Sequence, residues 1–362
     1  MIDFSTLQGL SIPEGVVTQI EDASGRVIWM LNVGGPIVLE VEKITSDTYA
    51  AETTYTDEKF ILLDIYPKTN GVVTVTYGGL AKTITDTSGV EEPNAQQVFF
   101  GTFNGTSDSV ETPERGTLVI EGDCDAFGIG AFQASKLVGS RRCLCITEVI
   151  SFGEVSYIPD YAFGSMDLLP EGCISLKNIR IPDTVTRIGG FAFAGCYGLE
   201  SIFIPSSVIE IGVNPFISSH IVDENFIYFS VENISLGKGS NFRKEGNCFI
   251  ETHTGRLICG TGEISIPADI KIIGERSFMY QDDIPIEIEI PESVSHIESY
   301  AFGSIYGRNF IMKATTPPTI GTSVLQVATD LPITIIVPKG CGEIYKAAEG
   351  WSEYADYIVE AS

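Results

Sequence analysis

The chain has 362 residues, which is enough for two or three domains. Its 22 Lys and Arg against 48 Asp and Glu give a formal net charge of -26, so its surface repels nucleic-acid backbones and anionic membranes. No apolar stretch approaches the roughly 20 residues of a transmembrane helix. We therefore expect no nucleic-acid partner and no membrane insertion.

Residues 1–33 contain a predicted β-hairpin, VVTQIEDASGRVIWML, with turn residues at 23–25. The start, MIDFSTLQGLSIPEG, lacks the basic, apolar and cleavage regions of a secretory signal, so none is expected if Met1 is the native start. The stretch IDFSTLQGLSIPEGVVTQIEDASGRVIW resembles the start of proteins encoded in prophages of gut Firmicutes. This resemblance implies that residues 1–33 dock on virion proteins. The alternative is a small strand pair that packs on the next domain.

Residues 34–116 have the rhythm of a separate all-β domain. Turn-rich segments such as KTNG, DTSG and FNGTSD separate the strand-like runs PIVLEVEKI, KFILLDIYP, VVTVTYGG and QVFFGTF. Short strands at this spacing predict an immunoglobulin-like β-sandwich of the bacterial surface kind. The missing Cys-Trp-Cys signature does not exclude it, because many such modules lack that disulfide.

After residue 116 a phrase recurs in six copies. It reads apolar, three residues, apolar, two residues, apolar, three residues, small residue, Phe. Every copy has its Phe twelve residues after its first position, and the copies start at Ile120, Ser151, Ile181, Ile204, Ile266 and Ile290. The steps between copies are 31, 30, 23, 62 and 24 residues, so the basic unit has about 23 residues and the longer steps carry insertions.

The phrase predicts a coil with two short extended segments. Ile-X-Ile triplets alternate with period two, and each is followed by a Pro that ends the strand; they lie at 179–181, 202–204, 264–266 and 288–290. The next two apolar positions point inward from a second segment. The small residue lets coils approach, and the Phe fills the space between them. Since one coil cannot bury its own apolar face, the copies predict a stacked solenoid.

The repeats resemble those of a known family. The segments IRIPDTVTRIGGFAFAGCYGLESIFIPSSVIEIG and IEIPESVSHIESYAFGS are similar to the BspA-like leucine-rich repeats of bacterial surface proteins. The resemblance implies a mainly β fold, with a leucine-rich-repeat solenoid over 117–362 that follows the β-sandwich at 34–116. The first two copies lack the Ile-Pro pair, so we expect irregular N-terminal coils there.

The same resemblance implies two additions to the solenoid. Residues 246–260 are similar to a hairpin insertion between repeats, which accounts for the step of 62 residues. The tail from residue 333 is similar to the C-terminal end of the family, where a cap covers the open coil. The residues expected to form this cap are Tyr345, Trp351, Tyr354 and Ile358.

Side chains for catalysis or metal binding are poorly supplied. None of the three histidines falls in HExxH or beside GxSxG; they are His220, His253 and His296. Cys248, His253 and Cys259 could be imagined as metal ligands, but both Cys occupy apolar strand positions and His253 falls in a polar turn. Cys173 and Cys196 recur in matching phrases, which predicts buried thiols. We expect no enzyme activity, no cofactor and no metal.

These patterns favour a non-enzymatic recognition protein whose strand ladder forms an extended concave surface. The contact residues are then the outward positions of the strands, and Phe203 could equally pack against a neighbouring side chain. The expected partner is a host-cell surface protein or glycan. The predicted ligand-binding residues are Ile150, Arg180, Phe203, Ser265 and Glu289.

Two settings fit this function. The first is a phage or prophage virion component of the tail or receptor-binding type, assembled in the cytoplasm and docked to virion proteins through residues 1–33. The second is a bacterial cell-surface adhesin. A less favoured alternative of another class is a surface-glycan hydrolase, which needs convergent acids in a groove.

Overall fold

A computed structural model describes residues 19–21, 27–30, 36–45, 59–68, 70–85, 96–103, 106–128, 146–153, 155–164, 176–196, 198–217, 234–261, 265–279, 287–305, 307–325 and 332–362. Some sequence predictions lie outside these residues. They are the turn at 23–25, the Phe of the first repeat copy, Cys173 and His220.

The first described element is a pair of short strands. β1 (Gln19–Glu21) pairs antiparallel with β2 (Val27–Met30), and the register shifts after Ile20. These strands are those of the predicted N-terminal hairpin.

Two antiparallel sheets follow. The first has the order β12-β3-β10-β6-β7, and the second has the order β11-β5-β8-β9 with β4 paired to β5. Tyr77 and Phe100, one from each sheet, meet edge to face with ring centroids 5.7 Å apart, so the sheets share a core. The strands are β3 (Ile37–Glu42), β4 (Ile44–Thr45), β5 (Lys59–Pro67), β6 (Val72–Tyr77), β7 (Leu80–Thr85), β8 (Gln96–Phe103), β9 (Thr106–Ser107), β10 (Arg115–Gly122), β11 (Cys124–Gly128) and β12 (Ile146–Phe152). The immunoglobulin-like topology stays a prediction.

The first copy of the repeat phrase belongs to these sheets. Ile120 lies in β10, which pairs antiparallel with β3 on one side and β6 on the other. The predicted boundary after residue 116 falls inside this strand. At Gly122 the backbone has φ 115, which favours glycine, and the chain then passes into β11 of the second sheet. The apolar alternation fits an antiparallel sheet as well as a coil, and the described residues 120–122 and 124–128 of this copy lie on strands that pair antiparallel.

From residue 155 onward the chain forms a solenoid with two rows of parallel strands, which we call the first and the second ladder, and each ladder consists of two separate sheets. The first position of the second copy, Ser151, still lies on the antiparallel strand β12. The first ladder contains the first strand of each coil: β14 (Asn178–Arg180), β16 (Ser201–Ile204), β18 (Ile234–Leu236), β23 (Glu287–Ile290), β25 (Asn309–Met312), β27 (Thr334–Val337) and β28 (Ile358–Glu360). A Pro follows β14, β16, β23 and β27 of the first ladder, at positions 182, 205, 291 and 338. The second ladder contains the second extended segments: β13 (Tyr157–Ile158), β15 (Arg187–Ile188), β17 (Glu210–Ile211), β21 (Arg256–Gly260), β22 (Ile272–Ile273), β24 (His296–Ile297) and β26 (Thr319–Ile320).

The Phe of the phrase stacks between coils, as predicted. Phe193 lies between Phe163 and Phe216, with ring centroids 5.3 and 5.7 Å apart and planes within 11°. Farther along, Phe278 and Phe302 stack at 5.2 Å. The residue before the Phe is fully buried: Ala162, Ala192, Ser277 and Ala301 are at most 2% exposed. A larger side chain there would meet the next coil.

The predicted hairpin insertion is larger than expected and completes a coil. β19 (Phe242–Glu245), β20 (Cys248–Glu251) and β21 form an antiparallel meander. Leu257 of β21 pairs in parallel with Ile273 of β22, and Gly260 donates a backbone hydrogen bond of 3.0 Å to the carbonyl of Ser277. The insertion therefore takes the place of one turn of the second ladder.

The chain ends in two short helices and a strand. α1 (Gly342–Ala347) and a 3₁₀ helix (Trp351–Tyr357) lead into β28. The Tyr345 hydroxyl donates to the Ala314 carbonyl at 2.8 Å, and the Trp351 indole donates to the Pro318 carbonyl at 2.7 Å, so both buried rings are tied to the preceding coil. Neither described helix has the length and hydropathy of a membrane span.

Candidate recognition surface

The outward residues of the first ladder form a row across three strands. Arg180 of β14 lies beside Phe203 of β16, and Phe203 lies beside Ser235 of β18. Residues in such register project from the same face of a sheet. The Arg180 guanidinium carbon lies 4.1 Å from the centroid of the Phe203 ring. We call these three residues the ladder triad.

The ladder triad leaves part of an aromatic ring exposed. Arg180 packs on Phe203, so the packing that the sequence allowed as an alternative is present, yet the ring is only half-buried. On the side of β18 the neighbour is Ser235, which is exposed and whose hydroxyl donates to the Ile202 carbonyl at 3.2 Å. A serine side chain is too short to cover a ring. The binding role of Phe203 stays a prediction.

The other predicted contact residues lie apart from this triad. Ile150 falls where the register of β12 shifts, and β12 pairs antiparallel with β3 at the edge of the first N-terminal sheet. Ile150 is therefore on no ladder strand, which corrects its predicted placement. Ser265 is exposed in a part of its coil that forms no strand. Glu289 lies on β23 and forms a 2.7 Å ion pair with Lys313.

The structure adds outward positions that the sequence prediction missed. In the C-terminal part of the first ladder, Glu289 is in register with Ile311, Ile336 and Val359 on successive strands. Val359 is 46% exposed, and the other two apolar side chains are half-buried. The coil that begins with the strand of Ile311 lacks the Phe of the phrase: Leu325 takes its place and bridges to Phe302. A pattern that required Phe could not find this coil.

A second outward feature is the corner that precedes the Phe of each coil. The residue two positions before the Phe, or before Leu325, has a left-handed backbone with φ between 50 and 57° at Tyr161, Phe191, Arg276, Tyr300 and Ser323. For residues other than Gly this conformation costs on the order of 1–2 kcal/mol, so neighbouring structure must hold it. The amide of each of the first four donates to a carbonyl of the next coil at 2.9–3.2 Å. We call these five residues the corner row.

The coil with Asn214 departs from this pattern for a local reason. Asn214 precedes Pro215, and a residue before Pro is restricted to extended conformations. Its side chain is buried and donates to the Arg276 carbonyl at 2.8 Å. The outward position of that corner is therefore empty, and the long side chain of Arg276 reaches across it.

Side chains of the corner row stack along the solenoid. The rings of Tyr161 and Phe191 lie 5.0 Å apart and within 16° of parallel. The Arg276 guanidinium carbon lies 5.4 Å from the Phe191 ring centroid and 4.8 Å from that of Tyr300. Glu275 forms an ion pair with Arg276. The corner row is thus an aromatic and guanidinium strip on the surface.

An ion pair also ties the insertion to the coils that follow it. Arg256 donates to both carboxylate oxygens of Glu298, at 3.2 and 2.6 Å, and the Glu275 amide donates to the same carboxylate at 2.7 Å. Burial raises the pKa of Glu298, but these hydrogen bonds and the Arg256 charge outweigh it and lower the pKa overall. Every charged group of this pair has a partner, which fits a structural role.

The thiols considered as metal ligands are buried away from the nearby histidine. Burial raises the pKa of the Cys248 thiol to about 12 and raises that of Cys259 further, so both stay protonated. The side chain of His253 is 72% exposed in the turn between β20 and β21. Within the described ranges, no three His, Cys, Asp or Glu side chains form a group that could hold a metal ion.

An apolar cavity lies beneath the cap, where Leu325 replaces Phe. Its lining includes Phe302, Leu325 and Trp351, and its volume of 10 Å³ has room for about one water molecule. A space of this size is too small for an organic ligand.

Comparison with known proteins gives a match to a family model. The model is described as BspA type leucine rich repeat region, and it matches in 6 copies over residues 141–241 and 258–348. These segments make up more than half of the chain. No curated relative matches the sequence.

Three solved structures show a more distant likeness. The pneumococcal vaccine antigen PcpA is 15% identical with a TM-score of 0.37, and the match covers 53% of this chain and 56% of that one. A leucine rich cell surface protein from Faecalibacterium prausnitzii is 24% identical with a TM-score of 0.29, covering 50% and 38%. A leucine-rich repeat protein from Bacteroides ovatus is 18% identical with a TM-score of 0.25, covering 66% and 71%. The chain thus spans about half or less of the first two, and likenesses at this level carry no argument about function.

Proposed function

Since the chain belongs to the BspA-type leucine-rich repeat family, we propose that it is a non-enzymatic recognition protein that binds a cell-surface protein or glycan through its solenoid. The observation that carries the proposal is the ladder triad. Its side chains project away from the core, so the fold does not require an Arg stacked on a Phe there. Aromatic residues and Arg are enriched in binding interfaces, where they act as anchors.

The C-terminal part of the first ladder extends this surface. Ile311, Ile336 and Val359 place apolar side chains in one outward row, with Glu289 at its N-terminal end. Apolar side chains in a row, rimmed by charge, are typical of an interface rather than of a solvated face. The two outward rows lie on the same strands that bury the core with their other face.

Support for a non-enzymatic role comes from the polar groups near the ladders. His296 shares a 2.7 Å hydrogen bond with Thr319, and Glu298 is held by Arg256 and a backbone amide. These hydrogen bonds join neighbouring coils, so the two side chains have structural partners. The alternative of a surface-glycan hydrolase predicts turnover in a broad screen of glycan substrates, and any turnover would favour it.

The setting has two candidates, a virion-associated protein of the tail or receptor-binding type and a bacterial cell-surface adhesin. In the first, the strand pair β1–β2 within residues 1–33 belongs to a docking segment for virion proteins. Deleting residues 1–33 should then abolish co-purification with virion proteins while solenoid binding persists. In the second, the deletion should change neither property.

The experiment for the proposed function removes the anchors of the ladder triad. We expect an Arg180→Ala, Phe203→Ala double variant to bind bacterial envelope fragments and epithelial cell surfaces about tenfold more weakly than the wild type, since a hot-spot pair contributes on the order of 1–2 kcal/mol. Arg115→Ala is the matched control, because Arg115 is exposed on β10 and off the ladders. Unchanged binding by a double variant with an unchanged circular dichroism spectrum would overturn the proposal for this surface.

A further inference from the structure

The corner row contains a second arrangement of Arg, aromatic ring and Ser. Arg276, Tyr300 and Ser323 are corner residues of three successive coils. The Arg276 amide donates to the carbonyl that precedes Tyr300, and the Tyr300 amide donates to the carbonyl that precedes Ser323, at 3.2 and 3.1 Å. The three side chains therefore leave equivalent positions of adjacent coils. We call them the corner triad.

Within the corner triad, Arg276 occupies one side of the Tyr300 ring. Its guanidinium lies over the ring, 4.8 Å from the ring centroid, on the side of the preceding coil. The next coil carries Ser323 at the equivalent corner. Where two adjacent corners both carry rings, at Tyr161 and Phe191, the ring centroids lie 5.0 Å apart. Ser323 has no ring and is exposed, and Tyr300 is 36% exposed, so among the described corner residues no ring stacks on the Ser323 side of Tyr300. We call this side the open face of Tyr300 and the ring position beside it the open space.

The groups around this space favour a neutral ligand with hydroxyls. Beside the corner, the Thr322 hydroxyl donates to the Ser299 hydroxyl at 3.1 Å and the Thr322 amide donates to the same oxygen at 3.1 Å, so the Thr322 oxygen keeps its acceptor capacity and the Ser299 hydroxyl keeps its proton to donate. The charge of Arg276 is balanced by Glu275, and the chain as a whole has a net charge of -26, so an anionic ligand gains nothing here. An exposed aromatic face attracts apolar C–H groups, and neighbouring hydroxyls exchange hydrogen bonds with hydroxyls of a ligand.

We propose that the open face of Tyr300, flanked by Arg276 and Ser323, binds the pyranose ring of a neutral glycan. The sugar ring stacks on Tyr300 in the place that a ring takes at the Tyr161 and Phe191 corners. This inference rests on the proposed recognition function and names its ligand class, but it lies on the corner row rather than on the first ladder. The ladder triad repeats the same order of residues, with Ser235 beside the exposed part of Phe203.

The test fills the space with a side chain of the protein itself. A Ser323→Phe variant should place a ring against Tyr300, and Phe191 shows that a Phe is accepted at a corner with similar φ. Tyr300→Ala removes the platform, whereas Tyr300→Phe keeps the face and is the matched control. Binding is measured by saturation-transfer NMR with neutral trisaccharides of glucose, galactose and N-acetylglucosamine, and each variant is first checked for an unchanged thermal melting profile.

We expect at least one trisaccharide to receive saturation on its ring C–H groups from the wild type and from Tyr300→Phe. Ser323→Phe and Tyr300→Ala should weaken that binding about tenfold or more. Equal binding by Ser323→Phe, no saturation transfer to any of the three sugars, or binding of a proline-rich peptide instead would overturn the inference. Envelope binding that persists without sugar binding refutes this inference alone. If the wild type binds neither envelope fragments nor epithelial cell surfaces, the proposed function itself is refuted.

Discussion

Replacing Ser277 with Ala should make the solenoid more stable. Ser277 stands in the position before the Phe, where Ala162, Ala192 and Ala301 are at most 2% exposed. It is itself 0% exposed, and its hydroxyl finds no hydrogen-bond partner among the described residues. A buried Ser usually donates its hydroxyl hydrogen to a nearby carbonyl oxygen, such as one of the next coil. Burial removes the Ser277 hydroxyl from water, and no hydrogen bond to a described residue replaces that hydration.

The expected magnitude follows from this burial. An unsatisfied buried polar group costs about 1–3 kcal/mol, and Ser277→Ala removes it while keeping the Cβ and both backbone hydrogen bonds of the residue. The variant should therefore gain about 1 kcal/mol or more in its free energy of unfolding. For a unit of about 150–250 residues that gain raises Tm by roughly 2–4 °C.

The assay is thermal and urea unfolding followed by circular dichroism at constant pH. The reverse exchange, Ala301→Ser, is the matched control, because it introduces a hydroxyl at the equivalent buried position of the next coil. It should lower the stability by about 1–3 kcal/mol. A lower Tm for Ser277→Ala would refute the reasoning, since it would mean that the Ser277 hydroxyl is satisfied in the folded protein.

Other predictions concern the contacts between coils. A Gly212→Ala variant would place its Cβ 2.4 Å from the Gly190 amide nitrogen, so its free energy of unfolding, measured in urea, should fall by about 1–3 kcal/mol. The control is Gly116→Ala, whose Cβ would lie 3.7 Å from its nearest atom and whose stability should stay within about 0.5 kcal/mol of the wild type. Equal effects of the two substitutions would contradict the close approach of the coils. Glu298→Gln should reduce stability near neutral pH. The folded-state pKa of Glu298 is lowered, so the stability that its carboxylate contributes is present above the usual Glu pKa of about 4.3 and is lost as pH falls through the folded pKa. The melting curves of the variant and the wild type should therefore converge on acidification. A stability difference that does not change with pH would count against the ion pair. Iodoacetamide should leave Cys248 and Cys259 unmodified in the native protein and label both in urea, because burial raises the pKa of both thiols. Peptide mass mapping reads the labelled positions. Labelling of the native protein as fast as that of a free cysteine in solution would contradict the burial of these thiols.

The sequence by itself determined the repeat and its core. Period-two alternation before Pro182 and Pro205 predicted the strands β14 and β16, and the fixed spacing to Phe193 and Phe216 predicted the stack between coils. These features follow from local rules, since a coil of about 23 residues has few ways to hide its apolar positions. The aromatic cap, by contrast, was expected from the resemblance of the tail to the family's C-terminal end.

Tertiary structure decided which strand each segment joins and what the surface presents. Ile120 matches the repeat phrase yet pairs between β3 and β6, because strand partners come from distant sequence and the alternation alone does not choose them. Leu325 closes a coil without the Phe that the pattern required. The corner triad was invisible in the sequence, since its contacts join residues 276, 300 and 323 only after the coils stack with their left-handed corners aligned. Local periodicity fixes the inside of each coil, whereas the outward neighbours depend on how insertions and corners set one coil against the next.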